Sequence, residues 1–428
     1  MIQTDLTVIG GGASGMTAAI CAAAKGLHVT IIEHNQRVGK KILSTGNGRC
    51  NLSNVNVSAS DYRGSGTALL QGVLDRYGTE ETAAFFRRIG VPLRTEEGRI
   101  YPRTMQAKTV LDALRFEIDR QEIGLRTEET ITSVKKSGNR FLLLTSTGDK
   151  IETNALLFAV GGKAAPKSGS DGSANRLIRS LGHSITEQQP ALTPLVTDAP
   201  YRRALKGLRI DGTAELYVNG AIVQKEQGQI QFTETGISGI PVFDLSGAAS
   251  EALSAHQTVQ VCLDFLPDLR ISQVEEELLE RIHTFSGDRI ETILNGFLPK
   301  KLVIELCKIC GMRPSDSLAA LFPDMAPEHY SLMPLPGQLR EFAWQCKGLF
   351  QHITGTMGFD PAQTTAGGIP AGELTPDLES AIVPGLFFAG EIIDLCGRCG
   401  GYNLQWAWSS GMAAADAALA YCRRQPCS

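Results

Sequence analysis

Residues 5–33 read DLTVIGGGASGMTAAICAAAKGLHVTIIE, and the spacing of their glycines and terminal acid suits the binding of a dinucleotide. Gly10, Gly12 and Gly15, in the pattern G-x-G-x-x-G, supply a tight turn, a bare backbone approach to a pyrophosphate and a close helix–strand contact. Ala13 and Ser14 sit at the mouth of the helix, where free N–H groups meet phosphate. Glu33 follows Gly15 by 18 residues, and a carboxylate there can accept both ribose hydroxyl hydrogens while repelling a 2′-phosphate. The expected ligand has an adenosine ribose with free hydroxyls, and His34 lies beside it.

An apolar strand (Leu6 to Ile9), an alanine-rich helix (Ser14 to Lys25) and a second apolar strand ending at Glu33 make a complete βαβ unit around these groups. Two later segments are expected to return to the same place. Asn154 to Gly162 (NALLFAVGG) ends in small residues and adds Ala159, Gly161 and Gly162, and Gly385 to Glu391 (GLFFAGE) adds Gly390 and Glu391. FAD enzymes of the glutathione-reductase type use three such returns, whereas NAD would not require the C-terminal one. That return feeds a predicted helix from about Leu404 to Cys422, with Gly401 in the preceding turn, Asn403 as N-cap, and Leu404 and Gln405 in the first turn. The N-terminus of this helix could stabilise the anion that develops at the N1/C2 edge of a reduced flavin.

Four stretches, Gly39 to Asn54 (GKKILSTGNGRCNLSN), Phe232 to Gly239 (FTETGISG), Thr365 to Gly368 (TAGG) and Gly390 to Gly411 (GEIIDLCGRCGGYNLQWAWSSG), span nearly the whole chain. Together they closely resemble the BaiN/RdsA (YhiN-like) flavoproteins, also called the aminoacetone-oxidase-like family. The resemblance implies noncovalent FAD and an α/β fold: a glutathione-reductase-type, Rossmann-like FAD-binding domain with an inserted β-barrel-like substrate domain and a small helical subdomain. It also implies that Thr45, Gly46, Asn47, Gly48, Cys50 and Asn51 pack along the flavin, where bulky side chains would block backbone donors. Val134 completes the candidate cofactor set. Members of the family are described as NAD(P)H-dependent reductases of conjugated steroid enones or as aminoacetone oxidases, so membership fixes the cofactor better than the reaction.

The residues support that layout independently. After about Pro190 the α/β alternation stops, Thr213 to Val218 alternates apolar and polar residues, and Asn219-Gly220 is a type I′ hairpin signal before Ala221 to Lys225. Further strands are expected at Gln229 to Thr233 and Thr258 to Phe265. From Ile271 a helical period takes over, with Ile271, Val274, Leu278, Leu279, Ile282 and Phe285 on one face, and the helical insert should end near Pro327. The expected division is 1–190 for the first part of the FAD domain, 191–270 for the barrel, 271–327 for the helical subdomain, 328–349 for a return through the barrel, and 350–428 for the second FAD part.

Among charged groups, Lys40 and Lys41 could offset pyrophosphate charge, with solvated surface lysines as the other reading. Arg49 could hold negative charge on reduced flavin or a substrate carbonyl, or be paired structurally with a carboxylate. Cys396 and Cys399 flank Arg398 directly before the last helix, where a helix N-terminus would favour thiolate, but dithiol flavoenzymes of this fold carry their pair elsewhere. Arg49, Cys396 and Tyr402 are the catalytic candidates. Cys307 and Cys310 lie on a predicted helix and read as core or surface thiols. None of the seven histidines forms an H-x-x-x-H or similar pair, so no metal is expected.

Lys plus Arg (41) against Asp plus Glu (45) gives a net charge of −4, without the basic footprint of nucleic-acid binding, so a small-molecule substrate is expected and nucleic acid is not. No signal-like leader precedes the first strand and no apolar run reaches about 18 residues, so a cytoplasmic protein without a membrane span is expected. Only one G-x-G-x-x-G is present, leaving two routes for electrons. Either NAD(P)H docks transiently and the flavin reduces a conjugated C=C of a bulky enone, or an amine such as aminoacetone is oxidised with O2 as acceptor. Glu234, Glu391 and Asp394 are the carboxylates that would serve an ammonium group in the second case. The reductase is the first reading, and a flavin-containing RNA-associated protein is a further alternative.

Overall fold

The computed structural model describes residues 2–285, 288–322, 329–330 and 333–424. Two compact units emerge, one made of Met1–Ala191 with Gly358–Ser428, the other of Leu192–Met357.

In the first unit, β1 (Ile2–Ile9), α1 (Ala13–Ala23) and β2 (Val29–Ile32) form the βαβ unit. β1 extends to Ile2 because Ile2, Gln3 and Thr4 pair with Ile151, Glu152 and Thr153. The sheet runs in the order Gly124–Arg126, β2, β1, Lys150–Phe158, Arg140–Thr145, Ile131–Ser137, and Leu386–Phe388 also pairs with Lys150–Phe158. Parallel register aligns Ile32 with Ile9, Ile9 with Phe158, and Phe158 with Phe388. The chain therefore leaves the sheet at Glu33, Gly10, Ala159 and Ala389 along one carboxyl-terminal edge, the edge where open α/β sheets bind ligands. Their side chains hold the edge rigid: Leu6, Val8, Leu157 and Phe387 are fully buried. The C-terminal helix Tyr402–Arg424 packs on α1 through small residues; a Cβ on Gly411 would lie 2.6 Å from the Ser14 carbonyl oxygen.

Beside β2, Arg126 forms an ion pair with Glu129, whose second oxygen accepts from the same guanidinium at 3.1 Å. The guanidinium is the main reason that the Glu129 carboxyl is pulled from 4.5 down to about 2. A depressed carboxyl stabilises the fold fully above its unfolded value and loses that contribution as pH falls through the folded one. Melting temperature should therefore fall between about pH 4.5 and 2, and Glu129→Gln should flatten the curve in that window. A variant curve parallel to the wild type would exclude Glu129 as the source.

The second unit is built on a closed barrel in the order Leu195–Thr197, Gly236–Gly239, Ala221–Phe232, Arg209–Val218, Val259–Asp264, Leu349–Thr356. Asn219 (φ 51°) and Gly220 (φ 82°) make the tight hairpin between its two longest strands. The barrel carries a helix, Ile240–Ser254, within the 191–270 segment, where only strands are expected from the sequence. Its Pro241 in the first turn and the buried Val242, Leu245, Ala249 and Ala252 at helical spacing are the signal. Ile271–Thr284, Ile290–Leu294 and Lys300–Ile309 supply the helical part. Its expected end near Pro327 lies outside the described residues. The expected return over 328–349 needs correction. Gly337–Lys347 is a helix, and only Leu349–Thr356 is a barrel strand, its Leu349, Gln351 and Ile353 buried and Phe350 and His352 exposed. The barrel thus runs past 350, and the chain re-enters the first unit at Gly358. Among the described residues no helix is long and apolar enough to cross a membrane.

Candidate functional site

The glycine turn after β1 separates glycines that the chain itself requires from one that it does not. Gly10 has φ +101° and a Cβ there would fall 2.5 Å from the Ala159 carbonyl oxygen, while a Cβ on Gly15 would lie 1.9 Å from the Gly10 oxygen. Gly12 differs. Its backbone (φ −80°, ψ −167°) suits any residue, and a Cβ would meet no atom within 4 Å. Nothing in the chain's own packing calls for glycine at 12, so the open space fits a group brought from outside. α1 starts there with no side-chain cap and no acidic residue in its first turn, leaving its leading N–H groups to an anion. Turn and helix end together fit a pyrophosphate.

Glu33 is only 6% exposed. One oxygen accepts from the Gly11 N–H at 2.8 Å, and the other from the Asn35 N–H and Nδ2, each at 2.8 Å. Three of the roughly four acceptor positions of a carboxylate are taken by the chain. Glu33 therefore holds the turn, and about one acceptor position remains open rather than the two expected for a pair of ribose hydroxyls. His34 lies outside it, exposed, with Nδ1 3.4 Å from the carboxylate. Val134 lies on the outermost strand of the sheet with its side chain buried.

The other two returns meet this turn. Ala159 N–H donates to the Ile9 oxygen. Gly161 has φ +72°, and a Cβ on Gly162 would fall 2.3 Å from Thr365 Oγ1 and 2.8 Å from Glu391 Oε1. Thr365 Oγ1 accepts the N–H groups of Lys163 and Ala164 at 2.8 and 3.0 Å, a role visible in the sequence only as part of the TAGG motif. A Cβ on Gly390 would lie 2.5 Å from Ser14 Oγ, so Ser14 faces the third return. Trp406 Nε1, also unforeseen, donates to the Gly390 oxygen at 3.1 Å. Lys41 Nζ lies 2.8 Å from Glu391 Oε2, so both charges are compensated. Lys41 is thus not a free cation for a pyrophosphate, and Lys40 is a solvated lysine.

The loop between them is strained. Lys40–Gly48 is a 3₁₀ segment broken at Thr45, after which Gly46, Asn47 and Gly48 take φ of +56°, +54° and +80°, and Cys50 takes +59°. Left-handed Asn47 and Cys50 cost conformational energy of the kind that collects at functional sites. The Cys50 thiol is fully buried, and burial pushes it up to about 12, so it is an inert packing group. Asn51 Oδ1 is buried without a hydrogen-bond partner and lies 2.8 Å from where Gly401 would carry a Cβ. That Cβ would also meet the Ser53 oxygen at 2.5 Å, which presses this loop against the turn before the C-terminal helix.

The helix begins at Tyr402, so the expected N-cap is corrected. Asn403 is inside the helix and its amide clamps Gly397, accepting from its N–H and donating to its oxygen at 2.8 Å each. Gln405 is fully buried in a network with Ser53 Oγ at 2.6 Å and Thr82 Oγ1 at 2.8 Å, and Leu404 packs on the core. Both side chains face inward, leaving backbone as what they offer the site. Tyr402 meets Tyr62 edge to face at 6.1 Å, and its carbonyl accepts from the Tyr62 hydroxyl at 2.8 Å. Cys396 and Cys399 are half-buried, and no disulfide joins any of the nine described cysteines. Cys396 sits on a two-residue strand paired with Tyr62–Arg63. Arg49 has no carboxylate partner among the described residues; its Nε donates to the Gly46 oxygen at 3.3 Å and its guanidinium lies 5.4 Å from the Tyr101 ring centre. No group of three potential metal ligands occurs among the described residues.

Residues 4–417 match the model of the HI0933-like protein Rossmann domain. A 3-dehydro-bile acid delta(4,6)-reductase of Clostridium scindens is 37% identical over 415 residues, covering 96% of this chain and 98% of that protein. A ribosomal RNA dihydrouridine synthase of Escherichia coli is 28% identical over 428 residues, covering 98% and 99%. Among solved structures, a 3-ketosteroid delta1-dehydrogenase from Sterolibacterium denitrificans shares the fold, with a TM-score of 0.50 and 13% identity over 98% of this chain and 100% of that one.

Proposed function

The chain belongs to the HI0933-like family and is an FAD-dependent oxidoreductase, and from that premise we propose that it reduces a C=C bond conjugated to a carbonyl in a bulky enone of the steroid or bile-acid type. The observation that carries this reading is the 37% identity, along nearly the full length of both chains, to a reductase whose name specifies that chemistry. The name of the second relative describes the same class of reaction, since making dihydrouridine adds two hydrogens across a C=C conjugated to a carbonyl. The reaction class is therefore supported twice and the substrate once. The net charge of −4 favours the small molecule over RNA.

When bound, the flavin supplies hydride at N5 and is recharged by a two-electron donor, for which we propose transiently docked NAD(P)H. The chain's own residues do the rest. The α1 N-terminus and Gly12 take the pyrophosphate, Glu33 takes the ribose, and the first-turn amides of the C-terminal helix face developing negative charge. Arg49 is a group for negative charge on a reactant, and Tyr402 and Cys396, flanking the turn, are side chains that could carry a proton for the carbon next to the one that takes hydride.

Two of the three carboxylates that would serve the amine-oxidase alternative are already paired with lysines. Glu391 is paired with Lys41 at 2.8 Å, Glu234 with Lys206 at 2.6 Å, and Asp394 accepts from Ser65 N–H and Oγ at 3.1 and 2.7 Å. Incubation with NADH or NADPH and a 3-keto-4-ene steroid should give a product heavier by two hydrogens, and aminoacetone in air should release no peroxide. Peroxide from aminoacetone with an unchanged steroid would reverse the assignment, and hydrogen gain on uridine of added RNA alone would move the substrate to RNA.

A further inference from the structure

Arg99, which the sequence does not mark, stands on the short strand Arg99–Pro102, opposite Asn54 on one side and Glu96 on the other. Side chains alternate along a strand, so Arg99 and Tyr101 share a face. Glu96, the acid nearest in register, is taken by an ion pair with Arg94. Arg99 Nε lies 3.7 Å from where Gly400 would carry a Cβ, against the turn that leads into the C-terminal helix. Asn54 Nδ2 holds the Gly400 oxygen at 3.2 Å and so fixes that turn to the same sheet. The Arg49 guanidinium lies 5.4 Å from the centre of the Tyr101 ring, and Tyr101 is 3% exposed.

Neither Arg49 nor Arg99 has a carboxylate partner among the described residues, and what sets the two apart from other such arginines is their shared neighbour Tyr101 and the approach of Arg99 to Gly400. Among the described residues, the one hydrogen bond from these two forks is Arg49 Nε to the Gly46 oxygen. A guanidinium that cannot lose its proton and has no counter-ion is a standing receptor for an oxyanion, and its planar fork matches carboxylate or phosphate in two parallel hydrogen bonds.

We propose that Arg49, over the Tyr101 ring, and Arg99, two residues from Tyr101 on the same face of the strand, form a receptor for an oxyanion carried by a reactant: a carboxylate on the acceptor or a phosphate on the donor. The choice of probes rests on the enone-reductase reading; the receptor itself does not. The role of the pair is to position a reactant by its charged end, which leaves the apolar body to lie along the site.

Two matched pairs of probes separate the sources. One is a saturated steroid with a side-chain carboxylate and its methyl ester; the other is NADP⁺ and NAD⁺, which differ by one phosphate. Dissociation constants are read on FAD-loaded protein from the perturbation of the flavin absorbance. The charged member should bind tighter by about 10- to 100-fold in one pair, the span of a charge-assisted hydrogen bond, and the pair that shows it names the source. Arg49→Gln and Arg99→Gln should each remove most of that preference, and Arg94→Gln should leave it. If Arg99→Gln loses FAD, Arg99→Lys keeps the charge without the fork and should still lose most of the preference. No preference in either pair, a preference that survives both Gln variants, or equal loss in Arg94→Gln would overturn the proposal. None of these probes carries an enone or reducing equivalents, so this result and the fate of the reductase reading are obtained separately.

Discussion

Gly12→Asp should yield a folded, colourless protein, while Gly15→Ala should yield little folded protein at all. The two glycines look alike in the motif and differ in what surrounds them. At 12 a side chain meets open space at the start of an uncapped helix, so an aspartate there can accept the N–H groups of the first turn and complement the helix dipole. The FAD-free variant should match or exceed the FAD-free wild type in stability by about 0.5 kcal/mol. The same carboxylate fills the anion site and repels a pyrophosphate, and losing even one charge-assisted hydrogen bond costs ~1.5–3 kcal/mol, about 10- to 100-fold in affinity. With repulsion added, flavin should be absent after purification. At 15 a methyl group would sit 1.9 Å from the Gly10 oxygen, a backbone atom that cannot move without opening the turn, which belongs with substitutions that cost roughly 4 kcal/mol or more. Flavin content by absorbance and melting of FAD-free protein check both. A yellow Gly12→Asp protein would mean that the nucleotide does not use this turn.

The parts of the site that were legible in the sequence are those set by local pattern. Strand, small residues and acid identify Gly10 to Gly15 with Glu33, and the same grammar finds Ala159 and Gly390, because parallel strands that end in register must release their chains at one edge. What stayed hidden depends on partners far away in the chain. Lys41 reads as a free cation until Glu391, 350 residues on, neutralises it. Asn403 has the chemistry of an N-cap, yet Gly397 offers its amide two hydrogen bonds from the preceding loop and the helix starts one residue earlier. Gln405 follows a glycine pair that should face a ligand, but the helical turn carries it inward to Ser53 and Thr82. Arg99 is silent because its meaning comes from a three-stranded sheet that sets it against Gly400. The helix Ile240–Ser254 was hidden by strand signals on both sides, although Pro241 marks its start.

In the proposed reaction, electrons leave the bound flavin for a conjugated C=C. The direct test needs no assumption about the physiological donor. FAD-loaded protein is reduced photochemically under strict anaerobiosis and mixed with a 3-keto-4-ene steroid while absorbance near ~450 nm is followed. The oxidised band should return in a single turnover, with one equivalent of steroid gaining two hydrogens. A band that stays bleached with the steroid and recovers only on admitting air, in a protein that aminoacetone bleaches again, would contradict it.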